Sequence, residues 1–209
     1  MSERAIDLRK PLRFASMYTL LQNIVGSTNA RRWIVNELIK PQAGAKVLDI
    51  GCGPGRIYEF FPPQVEYVGY DPNPNYIAFA QNQFKGKAEF HQGTAGELEI
   101  LDSRREYFDF VIAIGVLHHL DDNEAGKLVR AASMLLKKGG TFLTFDCVLT
   151  PEQSKFARFV VSLDRGGHVR DQEGYTALVA DVFPQREPRL FTKLLKIPYS
   201  HFVLRCIKN

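Results

Sequence analysis

Short apolar runs alternate with segments of helical periodicity along most of the chain. The clearest run, FDFVIAI, is apolar at nearly every position, which is typical of a strand buried on both faces of a sheet. Between the runs, apolar residues recur at spacings of three and four, which indicates amphipathic helices. The pattern predicts strands at 47–50, 65–70, 88–91, 108–114 and 141–145. The helices predicted between them lie at 57–61, at 75–84 and after a capping box at Asp121.

Strand–helix alternation of this kind favours a parallel, doubly wound sheet with helices on both faces. After residue 150 the alternation weakens: helical spacing returns at 151–168 and 175–183, and two further strands are expected at 189–196 and 201–207. The connection between these two strands is too short for a parallel crossover, so we expect them to pair antiparallel. The predicted fold is therefore α/β, with a mostly parallel, seven-stranded sheet whose last strand is antiparallel.

The segment before the first strand carries helical patterns of its own. Apolar residues recur at helical spacing over 11–25, and a second helix with one apolar stripe follows. We predict an N-terminal helical cap at 1–44, which forms one compact unit with a domain at 45–209. Two roles remain open for the cap: a buttress packed on the sheet, or a lid in which Phe14 and Tyr18 face a substrate.

Composition sets the broad class of the protein. The 209 residues are 45% hydrophobic and 24% charged, which is ordinary for a globular chain with a sizeable core. The net charge of +4 is mild, and no run of lysine and arginine forms the basic stripe of a nucleic-acid-binding protein. No stretch resembles a leader or a bilayer span, and three scattered cysteines predict neither disulfides nor a metal site. We expect a cytoplasmic monomer or homodimer with a small-molecule partner.

The stretch VLDIGCGPGR at 47–56 is the most specific motif. Three glycines at alternate positions follow a short strand, so the backbone there can turn sharply and approach a ligand closely. We expect the loop to open a helix whose backbone amides meet an anion, as in nucleotide-type sites of α/β folds. Asp71 follows Gly51 by 20 residues (71 − 51 = 20), where dinucleotide folds place a ribose-binding acid. Gly55, however, comes one position too early for the dinucleotide pattern.

The same stretch resembles the first motif of the class I S-adenosylmethionine-dependent methyltransferases, acid-x-G-x-G-x-G. The turn GTAGEL, the strand FDFVIAIGVLHHL and the unit LLKKGGTFLTFD extend the likeness over about 45–207, and small, stand-alone bacterial members are the most similar. The resemblance implies the class I methyltransferase fold and S-adenosylmethionine as cofactor, with S-adenosylhomocysteine as product. It assigns Asp49 to the methionyl amino end and Asp71 to both ribose hydroxyls. The implied cofactor-binding positions are Asp49, Gly51, Cys52, Gly53, Gly55, Asp71, Pro72, Thr94, Ala95, Ile114, Gly115 and Val116.

Alternatives remain open within this set. Thr94 is either an adenine contact or an ordinary turn residue. Cys52 suits a space-filling role in the loop better than that of a nucleophile. The acids Asp49 and Asp71 also suit turn capping, but their joint spacing favours the cofactor.

The acceptor side of the implied site centres on His118 and His119, which follow the fourth strand. Histidine titrates in the range that suits a general base, so one of the two is a candidate to deprotonate a hydroxyl or amine acceptor. The alternative, that both belong to the scaffold, stays open. Asp146, at the end of the fifth strand, either orients an acceptor or a histidine, or it simply ends the strand.

A polar segment with paired glycines at 151–170 is a candidate substrate lid. Within it, His168 is a further catalytic candidate behind the histidine pair. Arg165 and Arg170 are able to hold an anionic group, although a solvated loop is the plainer interpretation. Near the end of the chain, His201 is expected at the surface or on an edge strand.

The resemblance therefore implies an enzyme that transfers a methyl group from S-adenosylmethionine to an oxygen or nitrogen of a small-molecule acceptor by direct displacement. The rate of such a reaction depends largely on the alignment of the nucleophile, the methyl group and the sulfur. Two alternatives stay open. One is a catalytically inactive protein of the same fold that binds the cofactor or a partner, and the other, less favoured, is a nicotinamide-dependent dehydrogenase.

Overall fold

The computed structural model describes residues 27–94, 103–151, 153, 167–192 and 200–209. The strands are β1 Lys46–Ile50, β2 Glu66–Asp71, β3 Glu89–Gln92, β4 Phe108–Ile114, β5 Leu136–Cys147, β6 Gln185–Phe191 and β7 His201–Ile207. The helices are α1 Ser27–Trp33, α2 Pro74–Gln83, α3 Asp122–Leu135 and α4 Gln172–Ala180. A π-helical turn spans Ile34–Ile39, and 3-10 turns span Tyr58–Phe60 and Leu117–His119.

The seven strands form one sheet in the order β3-β2-β1-β4-β5-β7-β6. Strands β1 to β5 pair in parallel with their neighbours, whereas β7 pairs antiparallel with both β5 and β6. This confirms the predicted fold. The strand order reverses between β1 and β4, so a crevice is expected outside the carboxyl ends of these two strands, where open α/β sheets bind ligands.

Two apolar layers cover the sheet, because successive side chains of a strand point to opposite faces. In β1, Leu48 and Ile50 belong to the layer that packs against α3 and α4, whereas Val47 belongs to the layer on the other face. The π-helical turn lies in that second layer, and its buried residues are Ile34, Val35, Leu38 and Ile39. Among the described residues, no helix combines the length and the apolar character needed to cross a bilayer.

The described part of the predicted cap, residues 27–44, supports the sheet. Trp33, at the end of α1, meets Phe191 of β6 edge to face, with ring centroids 5.0 Å apart. The helix predicted at 11–25, with Phe14 and Tyr18, lies outside the described residues, as does most of the helix predicted at 151–168. The division into a cap at 1–44 and a domain at 45–209, and the candidate lid at 151–170, stay predictions.

The short helix predicted at 57–61 is present as the three-residue 3-10 turn Tyr58–Phe60. It ends before Pro62 and Pro63, as expected, because proline lacks the N–H and clashes with the preceding turn. That backbone amides of the glycine loop and of this turn meet an anion stays a prediction.

Two predicted strands start four or more residues earlier in the structure than the sequence pattern indicated, whereas β1, β2 and β3 start within one residue of their predicted positions. β5 begins at Leu136 rather than at residue 141, because Leu136 already pairs with Phe108, and the register then shifts so that Thr141 pairs with Phe110. β6 begins at Gln185 rather than at residue 189. It contains Pro188, which a strand at the edge of a sheet accommodates.

The expectation for His201 is also wrong. The residue is buried, and its ring stacks on that of Phe145 with centroids 4.7 Å apart. The reason is the position of β7, which lies between β5 and β6 rather than at the edge of the sheet.

Candidate functional site

A cavity of about 680 Å³ opens at the carboxyl ends of β1, β2 and β4, where the strand order reverses. Eight residues singled out from the sequence line it: Gly51, Gly53, Asp71, Pro72, Thr94, Gly115, Val116 and His119. The others that the structure describes, Asp49, Cys52, Gly55, Ile114, His118, Asp146 and His168, lie outside its lining. Ala95, Arg165, Phe14 and Tyr18 lie outside the described residues. A second cavity, of about 540 Å³, lies at the amino ends of β4 and β5 and is lined by none of these residues.

The glycine loop is held against the end of β2. The backbone N–H groups of Gly51 and Cys52 both donate to the carbonyl oxygen of Tyr70, at 2.7 and 3.0 Å. Gly51 has φ +79°, and a Cβ added there would lie 2.5 Å from Cγ2 of Val116. Gly53 has φ +54°, and a Cβ added there would meet no atom within 4 Å. The loop is therefore closely packed at Gly51 and open at Gly53.

Asp71 lies at the end of β2 with both carboxylate oxygens held by backbone. The N–H of Gly53 donates to Oδ2 at 2.9 Å, and the N–H of Asn73 donates to Oδ1 at 2.8 Å. A carboxylate offers about four lone-pair sites, two on each oxygen. Each oxygen of Asp71 therefore keeps one acceptor site at the edge of the cavity, in an orientation that the backbone fixes.

Asp49 is buried beneath the glycine loop, with 2% of its surface exposed. The hydroxyl of Tyr67 donates to Oδ2, whereas Oδ1 has no hydrogen-bond partner among the described residues. Burial raises the pKa of Asp49 to about 7, and nearby Asp71 adds to the increase, while the bond from Tyr67 opposes it. Tyr67 was missed from the sequence. A signal was present, however. Asp49 pairs with Gly69 of β2, and Tyr67 lies two positions before Gly69, so the side chains of Tyr67 and Asp49 lie on the same face of the sheet.

Cys52 is a buried residue of the same loop. Its Sγ lies 3.4 Å from the carbonyl oxygen of Gly53, and burial raises the pKa of the thiol far above its ordinary value. A thiol is a weak nucleophile when it is held neutral. The space-filling interpretation of Cys52 agrees with this environment.

The two histidines of the turn after β4 have different surroundings, although their ring centroids lie only 4.1 Å apart. Gly115 has φ +72°, and the 3-10 turn Leu117–His119 follows it. His119 lines the cavity, whereas His118 is 5% exposed and lies behind the cavity wall. A Cβ added at Gly115 would lie 3.7 Å from Cε1 of His118, so this ring is the next group behind that glycine.

His118 is paired with Asp146. Its Nδ1 lies 2.7 Å from Oδ1 of Asp146, and its backbone N–H donates to the same oxygen at 3.2 Å. Asp146 is 1% exposed, so the pair is shielded from water. No hydrogen bond to Nε2 of His118 is found among the described residues. The register brings the pair together, because Ile114, the last residue of β4, pairs with Phe145 of β5, so the turn after β4 lies beside Asp146.

The segment after residue 166 packs on the histidine turn. The backbone N–H of His168 donates to the carbonyl oxygen of His118 at 3.0 Å, while the imidazole of His168 belongs to an exposed residue. His168 therefore contacts the pair through its backbone. The guanidinium of Arg170 donates to carbonyl oxygens of the protein and to Asp122, so the two roles predicted for Arg170, an anion holder or part of a solvated loop, are both wrong.

Helices α2 and α3 contribute lining residues that sequence reasoning missed, among them Tyr76, Glu124 and Lys127. Glu124 also completes the predicted capping box of α3, which is confirmed: its N–H donates to Asp121 at 2.8 Å, and its side chain accepts from the Asp121 N–H at 3.2 Å. These residues carry no sequence signal for a ligand, because polar residues in the first turns of a helix are ordinary surface positions.

Comparisons with known proteins agree with this architecture. Residues 47–140 match a family model described as a methyltransferase domain. The chain is 31% identical over 145 residues to the ubiquinone biosynthesis O-methyltransferase of Azorhizobium caulinodans, a match that covers 64% of this chain and 54% of that protein. It is 28% identical over 172 residues to phosphoethanolamine N-methyltransferase 3 of Arabidopsis thaliana, covering 77% of this chain and 34% of that protein. The chain thus spans about half, or less, of the length of these curated relatives.

Among solved structures, the phosphoethanolamine N-methyltransferase 2 of Haemonchus contortus, in complex with phosphomonomethylethanolamine and S-adenosylhomocysteine, has a similar fold. The TM-score is 0.73 at 17% identity, and the superposition covers 96% of this chain and 59% of that one. The strand order reverses at the cavity, and β7 is antiparallel to its neighbours. Together with the match over residues 47–140, these features indicate the same fold. The chain therefore has the class I methyltransferase fold, and its residues 47–140 are similar to a methyltransferase domain.

Proposed function

We propose that this protein is an enzyme that binds S-adenosylmethionine in the cavity and transfers its methyl group to an oxygen or nitrogen of a small-molecule acceptor. The observation that carries the proposal is Asp71, a carboxylate fixed by two backbone N–H groups at the edge of the cavity. Its two remaining acceptor sites, one on each oxygen, match the two hydroxyl donors of an adenosyl ribose.

The rest of the cavity supports the same cofactor. The open space at Gly53 leaves room for a ligand to approach the loop backbone, which any side chain there would fill. The buried Oδ1 of Asp49, without a partner among the described residues, is an acceptor suited to a methionyl ammonium group, reached through water. A volume of about 680 Å³ is within the usual range for small-molecule sites.

When bound, S-adenosylmethionine would supply a methyl group on a sulfonium: a lone pair of the acceptor would form a bond to the methyl carbon as the carbon–sulfur bond breaks, with S-adenosylhomocysteine as the leaving group. The protein then has two tasks, to align the acceptor and to receive the proton that a hydroxyl or ammonium acceptor loses. We assign the second task to His119, the histidine that lines the cavity. His118 lies behind it, with Nδ1 2.7 Å from Asp146 and its ring centroid 4.1 Å from that of His119, so the His118–Asp146 pair holds the His119 ring in place.

The acceptor is proposed as a small molecule with a hydroxyl or amine group. The relatives named above act, by their names, in ubiquinone biosynthesis at oxygen and on phosphoethanolamine at nitrogen. These two chemistries provide the probes for this chain, a catechol for O-methylation and phosphoethanolamine for N-methylation.

Calorimetric titration with S-adenosylmethionine, S-adenosylhomocysteine and NADH tests the cofactor. We expect micromolar binding of both adenosyl compounds, no binding of NADH, and at least about a tenfold loss of affinity in Asp71→Ala, which is about 1.4 kcal/mol. Asp181→Asn, at an exposed position after α4, is the matched control and should bind normally. Unchanged affinity in Asp71→Ala would refute the ribose assignment, and binding of NADH alone would favour the dehydrogenase.

Transfer of labelled methyl groups to the catechol and to phosphoethanolamine tests the reaction. His119→Ala should lower kcat by about a hundredfold or more if this ring removes the proton. His118→Ala and Asp146→Asn should lower kcat less, because these residues hold the His119 ring and do not receive the proton themselves. Tight cofactor binding without transfer to any small nucleophile would favour the catalytically inactive alternative.

A further inference from the structure

Arg170 uses every donor that an arginine has. It precedes Asp171, the N-cap of α4, and its guanidinium points back to the turn that carries the two histidines. Nε and Nη2 donate to Oδ1 of Asp122 at 3.1 and 2.7 Å, Nη1 donates to the carbonyl oxygens of Leu117 and His168 at 2.9 Å each, and Nη2 donates to that of Leu120 at 2.9 Å. These five bonds match the five N–H donors of the side chain.

The guanidinium spans the histidine turn from end to end. Leu117 and Leu120 are joined by the hydrogen bond that closes the 3-10 turn, from the Leu120 N–H to the Leu117 carbonyl oxygen at 3.2 Å. Arg170 donates to the carbonyl oxygens of both residues, so the bond to one cannot shift without straining the bond to the other. The turn between them contains His118 and His119.

The backbone around Arg170 is anchored as well. The N–H of Leu149, shortly after β5, donates to the carbonyl oxygen of Arg170 at 3.1 Å. The N–H of His168 donates to the carbonyl oxygen of His118 at 3.0 Å. The side chain of Arg170 is only 12% exposed, which protects its hydrogen bonds from competition by water. The histidine turn is thus tied to the end of β5, the strand that carries Asp146.

We infer that Arg170 is a positioning residue for methyl transfer. It is not among the residues that line the cavity, so it acts through the turn, keeping His118 on Asp146 and His119 on the cavity wall. The predicted effect on turnover rests on the proposed function, whereas the predicted effect on the histidine turn does not. A lysine does not replace it, because an ammonium group offers three donors from a single point and cannot reach the separate carbonyl oxygens together.

The experiment compares Arg170→Lys and Arg170→Gln with Asp122→Asn. The first two variants lose most of the hydrogen bonds to the carbonyl oxygens. The lysine keeps the positive charge, whereas the glutamine side chain has two donors and no charge. Asp122→Asn keeps the Oδ1 acceptor but removes the charge, and because the Asp122 side chain is 85% exposed, the ion pair contributes little. It is therefore the matched control.

The first readout needs no acceptor. In protein labelled with ¹⁵N-histidine, with and without S-adenosylhomocysteine, we expect the ring nitrogens of His118 to shift or broaden in both Arg170 variants and to stay unchanged in Asp122→Asn. A role confined to stability would lower the melting temperature and leave these ring signals as they are. Unchanged ring signals in folded Arg170→Lys or Arg170→Gln would overturn the inference.

The second readout is turnover on the catechol or phosphoethanolamine, divided by the number of sites that bind S-adenosylhomocysteine. We expect kcat per site to fall about tenfold or more in both Arg170 variants, since small misplacements of catalytic groups cost factors of this size. Affinity for S-adenosylhomocysteine should stay within about threefold, because the hydrogen bonds of Arg170 reach neither Asp71 nor the glycine loop. Wild-type kcat per site in both variants would overturn the inference. Absence of wild-type turnover would count against the proposed function alone.

Discussion

Two glycines of the same loop are expected to respond to alanine in opposite ways. Both Gly51 and Gly53 have φ in the left-handed region, at +79° and +54°. At Gly51 the new Cβ would lie 2.5 Å from Cγ2 of Val116, whereas at Gly53 it would meet nothing within 4 Å. We therefore predict that Gly51→Ala lowers the stability of the fold, while Gly53→Ala mainly obstructs the cofactor.

The magnitudes follow from two contributions. A left-handed backbone costs an alanine about 1–2 kcal/mol at either position. Overpacking against Val116 adds about 1–3 kcal/mol at Gly51 alone. The middle values are about 3.5 kcal/mol for Gly51→Ala and about 1.5 kcal/mol for Gly53→Ala. At about 2–4 °C per kcal/mol for a chain of this size, the melting temperature should fall by about 7–14 °C in Gly51→Ala and by about 3–6 °C in Gly53→Ala.

Urea unfolding and calorimetry with S-adenosylhomocysteine measure the two effects separately. Gly53→Ala should weaken binding by at least about tenfold, because its methyl group enters the open part of the cavity. Val116→Ala in the Gly51→Ala background should recover part of the lost stability, since it removes the overlapping Cγ2 atom. Equal losses of stability in the two alanine variants, or normal binding by Gly53→Ala, would refute the reasoning.

Three further predictions concern buried groups. The pKa of Asp49 is about 7 in the folded protein, above its ordinary 3.8, so the folded state binds the proton more tightly. Protonated Asp49 therefore stabilises the folded state below about pH 4. This stabilisation is lost as the pH rises to 7, and the free energy of unfolding falls by up to about 1.4 kcal/mol per pH unit. Urea unfolding of the cofactor-free protein at several pH values should show this fall in the free energy of unfolding. An equal pH dependence in wild type and Asp49→Asn would contradict the prediction. Burial raises the pKa of the Cys206 thiol to about 12 and that of Cys52 as well, so iodoacetamide should label both slowly until urea unfolds the protein. Fast labelling of the native protein, followed by mass spectrometry, would speak against this. The only tryptophan of the chain, Trp33, packs on Phe191, so Phe191→Ala should shift its fluorescence to longer wavelength and cost about 1 kcal/mol. An unchanged emission spectrum would show that α1 does not depend on this contact.

The elements with strong local signals were predictable from the sequence. The strands at 108–114 and 201–207 have the predicted bounds, because each is a compact apolar segment. The short helix after the glycine loop was predictable because Pro62 and Pro63 limit its length, whereas its 3-10 form was not. The start of β5 depends on a register shift opposite β4, which is a property of two strands rather than one.

The sequence predicted which residues surround the candidate site, but not which of their side chains pair with each other. The chain order placed Asp71, Gly115, His119 and the glycine loop at one sheet edge, and the structure brings them together around one cavity. The assignment of His118 to Asp146, and of His119 to the cavity, depends on the geometry of a three-residue turn. Four of the five bonds of Arg170 join segments about 50 positions apart in sequence, for which a single sequence offers no signal.

The position of β7 has a consequence for biosynthesis. β7 follows β6 along the chain, yet it lies between β5 and β6 in the sheet, and among the described strands β6 pairs only with β7. On the ribosome, β6 is therefore made before the strand that joins it to the sheet, and the outer edge of β5 has no partner until residues 201–207 emerge. An unpaired edge of this kind is a template for pairing with other chains. The nascent protein is thus exposed to aggregation until β7 emerges, and the strand that carries Asp146 gains its outer neighbour only then.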